Sequence, residues 1–217
     1  MELTLCPSMM CADMGRLHQE MTDLQSAGVD AFHVDIMDGR FVPNFGMGLQ
    51  DTQYLCAHAC IPVEVHLMIV EPYAYLEMFA AMGVRRLFIH PEAEAHTLRS
   101  LEKIRKLDME AGIAINPATS YETVYELLPF SDHVTVMSVN PGFAGQQYIP
   151  QVEGKIRKLV EMAGEYEYDI TVDGACSAER IKHLHSLGAR GFVLGSSALF
   201  GKGRSYCDVI SQLRSAM

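Results

Sequence analysis

FHVDIMDG, Phe32–Gly39, alternates apolar Phe32, Val34 and Ile36 with polar His33 and Asp35 before reaching Met37 and Asp38. Side chains two apart on a strand point the same way. The octet therefore reads as a β-strand with three apolar groups on one face and a histidine beside an aspartate on the other. A polar pair of that kind is placed to do chemistry only if the strand's end opens onto a site, so the arrangement of the neighbouring strands decides what the pair is for.

Seven more short apolar runs share this character: LTLCPSMM, PVEVHLMIV, RRLFIHPEA, GIAINPAT, HVTVMSV, YDITVDGA and GFVLGSS. Between them lie stretches with helical periodicity, among them MGRLHQEMTDLQSAG, AYLEMFAAMG, HTLRSLEKIRKLDMEAG, ETVYELLPF, VEGKIRKLVEMAG and AERIKHLHSLGA. Strand followed by helix, eight times over with no linker-like segment, predicts a (β/α)8 TIM barrel, one domain over residues 1–217. A doubly wound open sheet has the same periodicity and is the alternative.

With 49% apolar and 20% charged residues, the chain can bury a substantial core. Its net charge of −10 repels nucleic acid and anionic membranes, leaving small phosphorylated molecules as the phosphate-bearing partners. No apolar run approaches the roughly 20 residues that span a bilayer. The six cysteines form no CxxC pair, and the opening MELTLCPSMM has neither a charged n-region nor a long apolar stretch, so a reduced, cytoplasmic setting is expected. Cys56 and Cys60, four apart in an apparent helix, read as buried thiols in preference to metal ligands.

In a barrel the active site is built at the C-terminal ends of the strands. Reading those ends in order gives Ser8, His33 with Asp35, His66 with Met68, His90 with Glu92, Asn116, Met137 with Asn140, Asp173, and Gly195 with Ser196. His33, Asp35, His66 and Asp173 supply two imidazoles and two carboxylates from three strands, a donor set suited to Zn, Fe(II), Mn or Co. Hydrogen-bonded core histidines are the plainer reading of the same spacing. NPGFAGQ, Asn140–Gln146, puts Gly142 and Gly145 around Phe143 and Ala144 directly after the sixth strand, where backbone N–H groups can approach an anion; a tight turn is the alternative. Gly174 with Ala175 and Gly195 with Ser196 follow the next two strands, where barrels of this kind hold phosphate. Met37, Met68 and Met137 end their strands and are candidates for an apolar cap over a reacting carbon. His58, His96, His133, His183 and His185, with Arg85, Arg86 and the run KIRKL, read as structural or solvated.

HVDIMDGRFVPN, EVHLM, INPAT, VNPGFAGQ, TVDG and GSSALF, in that order over nearly the whole chain, resemble the ribulose-phosphate 3-epimerase family. The resemblance implies a (β/α)8 barrel with one divalent ion held by His33, Asp35, His66 and Asp173, the two aspartates also acting as acid and base. It further implies that Ser8 and His66 face substrate and that Gly142 to Gly145, Gly174 to Ala175 and Gly195 to Ser196 hold its phosphate. The expected reaction is epimerisation at C3 of D-ribulose 5-phosphate to D-xylulose 5-phosphate in a homo-oligomer of the family's kind. Ala144 stands where the family usually has glycine, and Ala175 and Cys176 where it more often has glycine and an aliphatic residue. With HPEA, these departures look more like the branch acting on D-allulose 6-phosphate, which keeps the chemistry and changes the sugar. A barrel that binds a phosphorylated ligand without turnover is the reading from another functional class. Inversion at C3 needs one proton removed beside a carbonyl and another returned to the opposite face, so two acid/base groups across the barrel mouth give Asp35 its reason to stand beside His33.

Overall fold

The computed structural model describes residues 3–216. Eight strands alternate with helical connections: β1 Thr4–Pro7, β2 Phe32–Met37, β3 Val63–Met68, β4 Arg86–Ile89, β5 Glu110–Ile115, β6 His133–Met137, β7 Asp169–Asp173 and β8 Gly191–Leu194. All neighbours pair in parallel, in the order β1-β8-β7-β6-β5-β4-β3-β2. A parallel bridge between Ser8 and His33 then joins the end of β1 to β2. The sheet curls into a ring, and the open-sheet alternative falls.

The alternation seen in β2 runs round the whole ring. Phe32, Val34, Ile36, Val63, Val65, Leu67, Leu87, Ile89, Ile113, Ile115, Val134, Val136, Ile170, Val172, Phe192 and Leu194 belong to one apolar core with the buried faces of the helices. The intervening residues therefore face the lumen, where His33, Asp35, Glu64 and His66 are buried with them. The main core is thus the layer between sheet and helices, and the barrel's interior is free to be polar.

Seven α-helices supply the outer layer: α1 Leu17–Ser26, α2 Leu49–His58, α3 Leu76–Met82, α4 Thr97–Lys106, α5 Val152–Tyr166, α6 Ala178–Ser186 and α7 Tyr206–Ser215. In α4, Thr97, Ser100, Leu101 and Ile104 are buried at three- and four-residue spacing. Lys103, Arg105 and Lys106 occupy its last turn, where positive charge opposes the helix dipole. Ser177 and Ser205 cap α6 and α7 by accepting from the N–H groups of Arg180 and Asp208.

Three expectations need correction. ETVYELLPF is not an α-helix: Tyr121–Phe130 is wound in 3₁₀ turns, with Pro129, which has no N–H to donate to the carbonyl four residues back, inside the run. The stretch HTLRSLEKIRKLDMEAG stops being helical at Lys106, and β5 begins at Glu110. Asp108 between them takes a positive φ of 59° that ends the helix. Cys60 lies beyond α2 and is exposed and Cys56 is only half-buried, because the chain turns extended at Ala59 ahead of Pro62.

Candidate functional site

The polar ends of β2, β3 and β7 meet at one side of the ring. Asp35 Oδ1 lies 3.4 Å from His33 Nε2 and 3.5 Å from His66 Nδ1, and His66 Nδ1 is 3.5 Å from Asp173 Oδ2. One donor atom from each of the four residues falls within 4.8 Å of all the others. Among the described residues no other group of three or more His, Cys, Asp or Glu side chains converges in this way. The Ser8 hydroxyl donates to Asp35 Oδ2 at 2.6 Å, so the residue that bridges the barrel seam also aims this carboxylate.

His33 Nε2 and His66 Nδ1 are buried and have no hydrogen-bond partner. Buried nitrogens are rarely left so. Nδ1 of His33 donates to the Glu64 carboxylate at 2.7 Å, which leaves Nε2 as a bare lone pair pointing at the aspartates. Two lone-pair nitrogens and two carboxylates, at a common point with no cation of the protein's own, fit a divalent ion. The electrostatics agree. Burial opposes ionisation of Asp35, but His33 and His66 hold its carboxyl well below the usual range. Burial likewise opposes a charged His33 and a charged His66, yet the neighbouring carboxylates raise both. A dication at this point would compete with protons for the same imidazole nitrogens.

Two further residues back this centre: His90, which the strand ends named without a role, and Glu64, which they did not name. Glu64 is buried beneath His33 and also accepts from Arg86 at 3.3 Å. His90 is fully buried, its Nε2 2.8 Å from Nε2 of His66, and burial pushes it down to about 4. The strand rule that paired His33 with Asp35 pairs Glu64 with His66 just as well, so a signal for Glu64 existed. No local pattern pointed from His90 to His66.

Beside the cluster, a narrow cleft of about 60 Å³ runs over the ends of β6, β7 and β8. Its lining includes Ser8, Asp35, Asp173, Gly142, Phe143, Ala144, Gly145, Gly174, Ala175, Gly195 and Ser196, and contains no Lys or Arg. His33 and His66 lie beneath this lining. Gly142 adopts φ +113°, and a Cβ there would stand 3.0 Å from that of Val42. Ala175 takes a positive φ of 47°, a conformation side chains rarely adopt, with its carbonyl held by Arg180 at 2.8 Å. The Ser138 N–H donates to the Asp173 carbonyl at 2.7 Å, tying the first loop to the second. Gly195 accepts from the N–H groups of Ala198, Leu199 and Phe200 and winds the third into a single turn.

Met37, Met68 and Met137 are buried at the same mouth and line the cleft. Met37 and Met68 pack with Val42, and Met10 and Phe41 lean against them. The loop after β2 thus contributes to the cap. Its Asn44 donates to the Gly142 carbonyl at 2.6 Å, joining segments 98 residues apart across the mouth. Gly46 lets that loop lie on β2, since a Cβ there would come within 2.3 Å of the Asp35 carbonyl. His58 stacks on Tyr54 and His133 bonds Glu110, both away from the cluster, as structural residues do.

Fold and site together define a (β/α)8 barrel with a His/Asp cluster that could hold a metal ion at the C-terminal ends of its strands. Residues 4–200 match the family model described as the ribulose-phosphate 3 epimerase family. A ribulose-phosphate 3-epimerase of Synechocystis is 38% identical over 99% of this chain and 94% of its own. One from Bacillus subtilis is 36% identical over 92% of this chain and 93% of its own. The chain belongs to the ribulose-phosphate 3-epimerase family and is an enzyme of the isomerase class, an epimerase. Among solved structures, a 3-keto-L-gulonate-6-phosphate decarboxylase from Vibrio cholerae superposes with a TM-score of 0.73 at 12% identity, covering 99% of this chain and 96% of that one. A 3-hexulose-6-phosphate synthase from Salmonella typhimurium gives 0.71 at 14%, covering 99% and 98%. These two show the fold alone. No described helix is long and apolar enough to cross a membrane.

Proposed function

We propose that this chain epimerises C3 of D-ribulose 5-phosphate to give D-xylulose 5-phosphate, with His33, Asp35, His66 and Asp173 holding one divalent ion and Asp35 and Asp173 moving the protons. The observation that carries the reading is the meeting of two carboxylates from strands on different sides of the mouth at one histidine, each 3.5 Å from His66 Nδ1.

When bound, the ion acts as a Lewis acid that offsets negative charge developing on the sugar's C2 and C3 oxygens. The protein's own groups do the rest. One aspartate takes the C3 proton and the other returns a proton to the opposite face, so configuration inverts with no redox step and no second substrate. Ser8 holds Asp35 in line by its 2.6 Å hydrogen bond. Met37, Met68 and Met137 cover the reacting carbon with apolar surface, which keeps stray water from protonating it on the wrong face. The phosphate sits in the cleft over β6, β7 and β8, and with no Lys or Arg in the lining it is held by backbone N–H groups and hydroxyls of Gly142 to Gly145, Gly174 to Ala175 and Gly195 to Ser196. Four ligands of this kind suit Zn, Fe(II), Mn or Co alike.

The test is turnover of both D-ribulose 5-phosphate and D-allulose 6-phosphate by the metal-loaded enzyme. The pentulose phosphate should have the higher kcat/KM. A higher value for the hexulose phosphate would move the assignment to the allulose branch. Metal-loaded protein that exchanges no C3 proton of either sugar in deuterated water would be a binding barrel.

A further inference from the structure

The two histidines of the cluster are backed differently. His33 gives its outward proton straight to the Glu64 carboxylate. Behind His66 there is no carboxylate. Its Nε2 meets another imidazole nitrogen, His90 Nε2, at 2.8 Å, with the two rings stacked at a 29° tilt and both side chains fully buried. Two ring nitrogens at that distance share one proton, so one donates and the other is bare. His66 can offer Nδ1 as a lone pair to an ion only when its own proton is on Nε2, which makes Nε2 the donor and His90 Nε2 the acceptor. The His90 proton must then be on Nδ1, which makes no hydrogen bond but lies 3.4 Å from the charged oxygen Oε2 of Glu92. Glu92 is itself fixed by the Asn116 N–H at 2.9 Å and by the Thr119 hydroxyl.

We infer that His90 is a positioning residue, whose bare Nε2 locks His66 in the tautomer that presents Nδ1 to the ion, and that the nearby charge of Glu92 favours the His90 proton on Nδ1. The inference rests on the ion-binding reading above. It adds an ordered chain, Glu92 to His90 to His66, beside the direct Glu64 to His33 contact. Because His66 leans on a neutral ring where His33 leans on a charged carboxylate, His66 is the softer attachment, and its tautomer has a single nitrogen holding it.

Two measurements test this, both with Zn(II) as the probe. In ¹⁵N-histidine-labelled, Zn(II)-loaded protein, His66 Nε2 and His90 Nδ1 should carry protons and His90 Nε2 should not; a proton on His90 Nε2 would overturn the inference without any mutation. In chelator competition, His90→Leu should weaken Zn(II) binding about 10- to 100-fold, the usual effect of removing such a partner. His90→Gln, whose amide oxygen can accept in place of Nε2, should restore most of it. Binding by His90→Leu within about twofold of the unaltered protein would overturn the inference while leaving the ion site standing. Failure of the unaltered protein to bind Zn(II) at all would overturn both.

Discussion

The two ends of the barrel lumen are both crowded with charge, and they are built on opposite rules. At the lower end Glu64 and Glu110 meet cations the chain itself supplies. Arg86 reaches Glu110 at 2.7 Å and Glu64 at 3.3 Å, while Arg85 and His133 close on Glu110 at 2.9 Å each. At the rim the only cationic partners near Asp35 and Asp173 are histidines, and three buried ring nitrogens, His33 Nε2, His66 Nδ1 and His90 Nδ1, have no hydrogen-bond partner. The lower network is complete in itself. The rim leaves room for a cation from outside, and under the proposed function that difference would separate a structural charge cluster from a reactive one within a single barrel.

The largest effect expected from disturbing this contrast is on chemistry. Asp173→Asn keeps an oxygen at the rim but removes one proton carrier, so epimerisation should fall about 10²- to 10⁴-fold. If Asp35 then works alone, C3 exchange with solvent should survive for one epimer while conversion stops. Equal loss of both, with metal retained, would point to a single base. The unfolding temperature of the metal-free variant should hardly move, because Asp173 has no structural partner of the kind Glu64 has.

The lower end should answer the other way. Arg86→Leu takes from Glu64 and Glu110 the one cation they share, leaving them only His33 and the Arg85–His133 pair, and since Arg86 is partly exposed the loss of stability should fall below the about 3–5 kcal/mol seen when one member of a fully buried pair is removed. Denaturant unfolding would measure it, and a loss below the cost of an ordinary surface change would mean the network is not structural. Gly142→Val comes next: with φ at +113° and Val42 in the way, the loop must shift and lose an N–H donor. KM should rise about tenfold, the worth of roughly one hydrogen bond, with kcat little altered. An unchanged KM would reduce that segment to a turn.

The smallest effect is in acid. Hydrogen bonding to His133, then to Arg86, holds Glu110 at about 2, below the usual 4.5. Ionised Glu110 therefore adds stability above pH 4.5, and that contribution is lost as pH falls toward 2. Glu110→Gln should flatten the stability profile in that window, and an unchanged slope would count against the lower network's charge pairing.

The alternation in each strand made the ring, the core layer and the rim cluster readable, because period-two patterning survives in any strand buried on one face and polar on the other. Ser8, His33, Asp35, His66 and Asp173 all stand where strand ends placed them. What escaped was non-local or weakly patterned. Helix α2 buries only Thr52 and Leu55 and shows little apolar stripe. The 3₁₀ run keeps a helix-like pair, Val124 and Leu128, while Pro129 breaks the winding. His90 and Asn44 matter through partners on other elements, His66 and the Gly142 carbonyl, which no spacing along the chain reveals.

The seam of the ring carries a mechanical consequence. Neighbouring strands elsewhere are zipped by runs of paired residues, six between β2 and β3 and four between β1 and β8, whereas β1 and β2 are joined by the lone bridge at Ser8 and His33. An ion held as proposed by residues of β2, β3 and β7 would straddle that joint. It would act as a rivet on the barrel's thinnest weld as well as a reagent, so stripping it should loosen the hoop first at Ser8 and His33, the two residues that contact Asp35. Losing the ion and losing the working shape of the mouth would then be one event, and the enzyme's working lifetime would be set by how long the rivet stays in.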